Sequence, residues 1–218
     1  MSNHHPGDDL LLDLATGRLA DGPYLVVSVH VEGCAACQSR LEALHVVGGE
    51  LLNGVEPQPL SANALDATLQ RIATPAPDAL PLMQAESTRP ALPEGVRWPA
   101  SMRGCHVSRW RPLAPGMRWS KVQLKQSFEG SLYMLRIAPG RSLARHTHSS
   151  VEMTQVLCGE FDDGRSTFAA GDFDAADKNV HHEPKVLVGS ECVCLAYVAT
   201  ELKFDGWFAS AIGRLIGM

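Results

Sequence analysis

The sequence of 218 residues predicts a two-domain protein, all-α at its N-terminus and all-β at its C-terminus. Three observations lead to this prediction. Apolar residues recur at helical spacing up to about residue 73, prolines are dense over 74–104, and short alternating runs with glycine or proline between them fill 105–218. We therefore expect a helical domain over 1–73, a proline-rich linker over 74–104, and an antiparallel barrel or jelly roll over 105–218.

The N-terminal domain is expected to contain three helices. Gly22-Pro23 is expected to end the first, Gly33 breaks the chain before a longer helix that starts at Cys34, and Ser61 is the expected N-cap of the last. Their apolar stripes are Leu11, Leu14 and Ala15; Leu41, Leu44, Leu51 and Leu52; and Leu65, Leu69 and Ile72. A closing apolar segment, Trp207 to Met218, is expected to form a packed terminal helix.

Composition and the first residues indicate a compartment. No apolar run approaches the roughly 18 residues of a membrane span, and the N-terminus lacks the basic and apolar regions of a signal peptide. We expect a cytoplasmic protein with no membrane association. Its six cysteines would then be mostly reduced, which favours metal or redox chemistry over structural disulfides.

The charge is unevenly distributed. Residues 1–72 carry nine acidic side chains and three arginines, a net charge of −6, whereas the remainder carries +1. An acidic domain repels nucleic-acid phosphates and attracts basic proteins. The sequence thus predicts a basic protein partner and no direct nucleic-acid binding, with a merely solvated acidic surface as the alternative.

One cluster of metal-ligand side chains lies in the N-terminal domain, His30-x3-Cys34-x2-Cys37. Zn²⁺ prefers thiolate and imidazole, takes four ligands, and stabilises helical units too small to fold alone. A helix that starts at Cys34 would also favour the thiolates through its dipole. We predict a zinc site whose fourth ligand is another histidine: His5 by preference, then His4, then His45.

An N-terminal histidine followed by H-x3-C-x2-C in a short acidic helical domain resembles the zinc-binding anti-sigma domain. The resemblance covers about residues 1–72. It implies that His5, His30, Cys34 and Cys37 bind zinc. It also implies helices that clamp a sigma factor of the extracytoplasmic-function type and hide its polymerase-binding surface.

A second cluster, Gly140-x5-His146-x-His148-x3-Glu152-x6-Gly159, matches the first cupin motif. Alternate residues of a strand share a face, so His146 and His148 would point together into a barrel. Glu152 would reach the same metal from the next strand.

The expected second cupin motif runs from Gly171 to His182, with Asp177 and Asn179 in place of the usual proline and glycine. By spacing, His182 is the fourth ligand and His181 faces away. Three histidines and a carboxylate suit zinc but also accept iron, manganese or nickel. The ligand types therefore predict a divalent metal, with zinc as our choice.

The combination of both domains resembles the ChrR-type anti-sigma factors. This resemblance implies two zinc sites per chain, a sigma factor held by the N-terminal domain, and its release on an oxidative signal, singlet oxygen, through the cupin domain. No catalysis is then required. The alternative function is a metal-dependent cupin enzyme, such as a dioxygenase, with a helical accessory domain. A closed ligand set would favour the sensor, and a substrate pocket the enzyme.

Cys192 and Cys194 lie two positions apart in an alternating run and share one face of a strand. Their spacing of about 6.6 Å along a strand disfavours a disulfide. They are either two small core residues or oxidant-sensitive thiols near the cupin metal.

Overall fold

The computed structural model describes residues 2–74, 89–200 and 202–204, without the side chains of His148 and of 202–204. Four α-helices come first: α1 (Asp8–Ala15), α2 (Asp21–Gly33), α3 (Ala35–Asn53) and α4 (Ala64–Ala73). A 3₁₀ turn at Ala100–Met102 leads into the β part. The predicted order of a helical part followed by a β part is confirmed. The segment from Trp207 to Met218, expected to be helical, lies outside the described residues.

The helix α2 is apolar on almost every side and buried. It begins at Asp21, so Gly22 and Pro23 lie in its first turn. The prediction that they end the first helix is wrong, because α1 already ends at Ala15. Proline suits a first helical turn, where its missing N–H would have no intrahelical partner. A helix without a polar face has no amphipathic period, and for this reason the sequence pattern did not indicate it.

The start of α3 agrees with the prediction, and the start of α4 does not. α3 begins directly after Cys34, as expected, and continues through Gly48 and Gly49. α4 has Asn63 and not Ser61 as its N-cap, without a side-chain capping bond. Ser61 lies in the turn before the helix, where its carbonyl accepts a hydrogen bond from the amide of Ala64 at 2.9 Å. None of the residues of α4 is buried.

The described β-strands form three antiparallel sheets. The largest has the order β1-β3-β4-β12-β6-β9, with β2 paired to β3, and the smaller ones are β10-β5-β13 and β11-β7-β8. The strands are β1 (His106–Val107), β2 (Arg111–Ala114), β3 (Met117–Gln123), β4 (Ser131–Ile137), β5 (His146–His148), β6 (Glu152–Cys158), β7 (Glu160–Asp162), β8 (Thr167–Ala169), β9 (Phe173–Ala176), β10 (His181–His182), β11 (Lys185–Val186), β12 (Cys192–Val198) and β13 (Leu202–Phe204).

The helices α1 and α2 pack against the outer face of the large sheet. One hydrophobic cluster joins residues of α1 and α2 to residues of β6, β9 and β12: Leu11, Leu25, Val26, Val27 and Val29 with Met153, Phe173, Val193, Leu195 and Tyr197. At the start of α2, Gly22 lies so close to Tyr197 that a Cβ atom on it would be 2.3 Å from the ring. The helical part and the barrel therefore share a core.

The segment before β1 also packs on α2. The carboxylate of Glu32 accepts hydrogen bonds from the amides of Ala100 and Ser101 at 2.7 and 2.8 Å. The central part of the predicted linker, 75–88, lies outside the described residues, whereas Ala100–Met102 lies against α2 and the carbonyl of Ala91 accepts a hydrogen bond from Trp110 of the β part. Among the helices of the described residues, none is long and apolar enough to cross a bilayer.

Candidate metal centres

The first candidate centre brings together one side chain from the N-terminal arm, one from α2 and two from the start of α3. They are His5, His30, Cys34 and Cys37. The Nδ1 atom of His5 lies 3.3 Å from Nε2 of His30, 3.4 Å from Sγ of Cys34 and 3.5 Å from Sγ of Cys37. Ligands at the corners of a zinc tetrahedron are about 3.3–3.8 Å apart, given bonds of about 2.0–2.3 Å. The four donors fit zinc in both type and spacing.

The adjacent His4 faces away from this centre. Its Nδ1 atom lies 3.3 Å from Oδ2 of Asp172, and its ring packs against Phe168 at 4.5 Å between centroids. His45 is exposed on α3. The geometry therefore places His5, and neither alternative, next to the two cysteines.

Burial changes the electrostatics expected for the thiols. Burial, with Cys34 alongside, raises the pKa of the Cys37 thiol to about 11. The helix dipole, which we expected to favour the thiolate, is outweighed by burial of the Cys37 thiol and by the adjacent Cys34. A bound cation would be needed to hold Cys37 as a thiolate at neutral pH.

The second candidate centre lies inside the barrel. Nε2 of His146 on β5 is 3.2 Å from Nε2 of His182 on β10. Oε2 of Glu152 on β6 lies 3.7 Å from the former and 3.6 Å from the latter. These three buried side chains are grouped closely enough to hold one metal ion. The side chain of His148, the fourth predicted ligand, lies outside the described residues.

The Nδ1 atoms of His146 and His182, on the side of each ring away from the centre, have hydrogen-bond partners that orient the rings. Nδ1 of His146 lies 2.8 Å from the carbonyl oxygen of Ala144, and Nδ1 of His182 lies 3.3 Å from Oδ2 of Asp163. A hydrogen on each Nδ1 leaves each Nε2 available to a metal. His181, expected to face away, is exposed.

Asp163 is a buried carboxylate that stays charged. Burial alone would raise its pKa, but hydrogen bonds from the amides of Arg165 and Ser166, with further contributions from the Arg165 and His182 side chains, lower the pKa below its ordinary value. Burial lowers the pKa of His182, yet Glu152 and Asp163 outweigh this effect and raise it. A proton on His182 therefore competes with a metal ion for this position.

A small cavity adjoins the second centre. Its volume is about 40 Å³, and its walls include His146, Glu152, His182, Cys192 and Cys194. The two cysteine sulfurs are 3.5 Å apart. Hydrogen bonding to Cys192 together with complete burial raises the pKa of Cys194 well above its ordinary value, so its thiol is protonated at neutral pH.

Comparison with known proteins agrees with this architecture. Residues 101–200 match the model of the ChrR cupin-like domain. The chain is 32% identical to the anti-sigma-E factor ChrR of Cereibacter sphaeroides over 210 residues. These residues make up 96% of this chain and 95% of that protein. The chain belongs to the ChrR family of anti-sigma factors. The resemblance noted in the sequence is confirmed.

Solved structures extend the comparison. A crystal structure of Rhodobacter sphaeroides SigE in complex with the anti-sigma ChrR has 29% sequence identity and a TM-score of 0.72, over 91% of this chain and 100% of that chain. An acetylacetone dioxygenase from Acinetobacter johnsonii is more distant, at 15% identity and a TM-score of 0.40, over 50% of this chain and 87% of that chain. The ChrR-family likeness therefore includes both the helices and the barrel.

Sequence reasoning missed the residues that orient the ligands. Gln155 contacts His30, Asp163 contacts His182, and Asp172 holds the arm that carries His4. None of them lies at a recognisable ligand spacing. A signal does exist for Asp163, since an Asp before Gly164 marks a turn that can hold a buried carboxylate.

Proposed function

We propose that the protein is an anti-sigma factor that binds an extracytoplasmic-function-type sigma factor through α3 and α4, and releases it when the cupin domain receives an oxidative signal, singlet oxygen. Membership of the ChrR family over nearly the whole chain carries this proposal. Three features of the structure support it: an exposed apolar surface, a closed zinc-type ligand set, and a small cavity lined by candidate metal ligands.

The exposed apolar surface lies on α3, α4 and the loop between them. We call it the α3–α4 surface, and it consists of Val46, Val47, Leu51, Leu52, Val55, Leu60, Leu65, Leu69 and Ile72, each more than half exposed. Large apolar side chains exposed in such number mark an interaction site. A helix such as α4, with no buried residue, gains stability when an apolar stripe packs on a partner. The acidic charge of residues 1–72 favours a basic partner.

The first centre supports a structural role for zinc. Four protein ligands complete the usual coordination of Zn²⁺ and leave no position for a substrate. They come from the N-terminal arm, α2 and α3. We infer that zinc joins these segments and so shapes the domain that presents the α3–α4 surface, without taking part in chemistry.

The enclosed side of the second centre favours a sensor over an enzyme, although an open cleft of about 700 Å³ also reaches Asp163 and His182. Pockets for organic ligands usually have volumes of about 300–1,000 Å³, whereas the cavity beside His146 and Glu152 has about 40 Å³. Its space suits a molecule of the size of water or oxygen. We infer that zinc, or another divalent metal, is held by His146, His148, Glu152 and His182, and that no catalytic turnover is required.

The thiols of Cys192 and Cys194 face the same cavity and are proposed as further targets of an oxidant. Because the thiol of Cys194 stays protonated at neutral pH, reaction through a preformed thiolate is disfavoured at this position. An oxidant would instead have to enter the cavity. Since a sigma factor acts on RNA polymerase, the proposal also locates the protein in the cytoplasm, without direct binding to DNA.

Co-purification tests the proposal. The full-length protein, zinc-loaded, is co-expressed with each extracytoplasmic-function sigma factor of the same genome, and complexes are isolated by size-exclusion chromatography. We expect a stoichiometric complex with one of them that no longer associates with core polymerase. If no such sigma factor binds, the proposed function is wrong.

A further inference from the structure

The strand β6 contacts both candidate metal centres, one from each face. Glu152, at its start, faces the barrel cavity with His146 and His182. Gln155, three residues later, faces the opposite side and meets His30 of α2. Successive side chains of a strand alternate between its faces, so residues three apart point in opposite directions. A single rigid element therefore lies between the two centres.

The contact between Gln155 and His30 has a defined polarity. Oε1 of Gln155 lies 3.0 Å from Nδ1 of His30, and Nε2 of Gln155 donates to the carbonyl of Val156 at 3.0 Å. Because the amide nitrogen is already engaged, Oε1 is the acceptor and His30 carries its hydrogen on Nδ1. Nε2 of His30, 3.4 Å from Sγ of Cys37, then keeps its lone pair available to a metal ion.

The neighbouring strand β9 holds the arm that carries the other histidine. Oδ1 of Asp172 accepts hydrogen bonds from the amides of Asn3 and His4 at 2.6 and 3.1 Å. The amide of Phe173 donates to the carbonyl of His4 at 3.1 Å. Phe173 is also the cross-strand partner of Gln155. Both histidines of the first centre are thus positioned by adjacent strands of the cupin sheet, whereas its cysteines belong to the helical domain.

We propose that Gln155 is a positioning residue for His30 and, through β6, the connection by which the metal site of the cupin alters the zinc site of the helical domain. This inference rests on the proposed function, in which a signal received in the barrel must reach the helices. It gives that signal a direct route across the shared core. No passage through residues 75–88 is needed.

The positioning role is tested with Co²⁺ bound to the full-length protein. Thiolate-bound Co²⁺ has a charge-transfer absorption, which is assigned to the first centre by its loss in the C34S/C37S protein. Removing a partner that orients a metal-binding histidine typically lowers affinity by about 10–100-fold. We expect a loss of this size for Gln155→Leu in competition with a chelator.

Two matched variants give the test its specificity. Gln155→Glu keeps an acceptor for Nδ1 of His30, so we expect this variant to bind Co²⁺ more tightly than Gln155→Leu. It buries a charge, so a loss of affinity caused only by disturbed packing would be larger in Gln155→Glu than in Gln155→Leu. Gln126 bridges the same interface by donating to Asp21 at 2.8 Å, but touches no candidate ligand. Gln126→Leu should leave Co²⁺ affinity unchanged. Equal losses in the two leucine variants, or no loss in either, would overturn the positioning role.

The connection between the centres is tested with a cupin ligand variant. Coupling between two sites is a free energy that each exerts equally on the other. We expect Glu152→Gln to shift the Co²⁺ affinity of the first centre, and loss of the first metal in the C34S/C37S protein to shift metal affinity in the barrel in the same direction. Both shifts should disappear when Gln155→Leu is added.

A shift that persists with Gln155→Leu would overturn the connection, as would the lack of any shift from Glu152→Gln alone. These measurements need no sigma factor. Failure of the proposed function would appear as a wild-type protein that binds no sigma factor. Failure of this inference would leave that binding intact.

Discussion

Asp163 Oδ2 lies 3.3 Å from Nδ1 of His182, on the side of the imidazole opposite Glu152. The ring is therefore held between two carboxylates, one that orients it and one that shares the metal position. Asp163 is itself fixed by hydrogen bonds from the amides of Arg165 and Ser166 at 2.9 and 3.0 Å. This arrangement would orient His182 for a metal ion before the ion binds.

Loss of Asp163 should weaken metal binding in the barrel. We expect Asp163→Asn, which keeps an acceptor but loses the charge, to lower the affinity by about tenfold, and Asp163→Ala to lower it further. The measurement is competition with a chelator while the first centre is held saturated. Glu160→Ala, at an exposed carboxylate on β7 nearby, is the control and should bind metal as the wild type does. Equal affinities for all four proteins would contradict an orienting role.

Replacement of both Cys34 and Cys37 by serine should remove one metal per chain. We expect zinc analysis to give about two zinc ions per wild-type chain and about one per variant chain, since a serine hydroxyl is a poor zinc ligand. Without that metal the N-terminal arm, α2 and α3 lose their common attachment, so sigma binding should be lost as well. Iron in the barrel site, or loss of both metals, would contradict this assignment.

Local sequence patterns predicted much of the candidate centres. Cys34 and Cys37 are brought together by one helical turn, and His146 and Glu152 by two strands that follow each other in the chain, so fixed spacing reveals them. The choice of His5 over His4 was harder, because nothing local distinguishes two adjacent histidines. It depends on Asp172, which lies 168 residues from His4 and engages it.

The packing of the helices on the barrel was not predictable in the same way. The contact between His30 and Gln155 spans 125 residues, and a glutamine within a strand gives no periodic signal. α2 was missed as a helix because burial on all sides removes the polar face that reveals helices in a sequence. Its apolar composition does, in retrospect, indicate a helix packed between two layers.

Charges on the α3–α4 surface should abolish partner binding without unfolding the protein. Leu51 and Leu65 are 70% and 69% exposed, so Leu51→Asp with Leu65→Asp should leave circular dichroism unchanged. We expect sigma affinity to fall at least about 30-fold, as for the loss of central apolar contacts in an interface. Val188, 90% exposed on the cupin part, supplies the control Val188→Asp, which should bind normally. Normal binding by the double variant would contradict the proposed surface.

Acid should loosen the attachment of the N-terminal arm to β9. Burial alone would raise the pKa of Asp172, but hydrogen bonds from the amides of Ala169, Asn3 and His4 lower it below its ordinary value. A carboxylate with a lowered folded-state pKa contributes stability above its unfolded pKa of about 3.9, and that contribution is lost as pH falls through the folded value.

We therefore expect Asp172→Asn to unfold at a lower temperature than the wild type at pH 7, with the difference shrinking below about pH 4. Thermal melts of both proteins at each pH supply the comparison. A difference that is constant with pH would show that the Asp172 charge is not responsible.

Two glycine-to-alanine changes should have opposite effects on stability. A Cβ atom on Gly22 would lie 2.3 Å from Cε2 of Tyr197, whereas one on Gly48 would have no neighbour within 4 Å. We expect Gly22→Ala to destabilise the protein by about 1–3 kcal/mol through overpacking, and Gly48→Ala to stabilise it by about 0.5–1 kcal/mol through helix propensity. Urea denaturation measures both. A neutral Gly22→Ala would contradict the close contact of α2 with β12.

The central claim is that the helical domain holds a sigma factor and that the cupin domain controls this grip. Transcription in vitro with the cognate sigma factor and core polymerase tests it most directly, with singlet oxygen generated by a photosensitiser in the light. We predict that the zinc-loaded full-length protein represses transcription in the dark and that light restores it, whereas the Glu152→Gln protein represses in both conditions. Absence of repression at stoichiometric protein, or equal relief of repression with Glu152→Gln, would contradict the account.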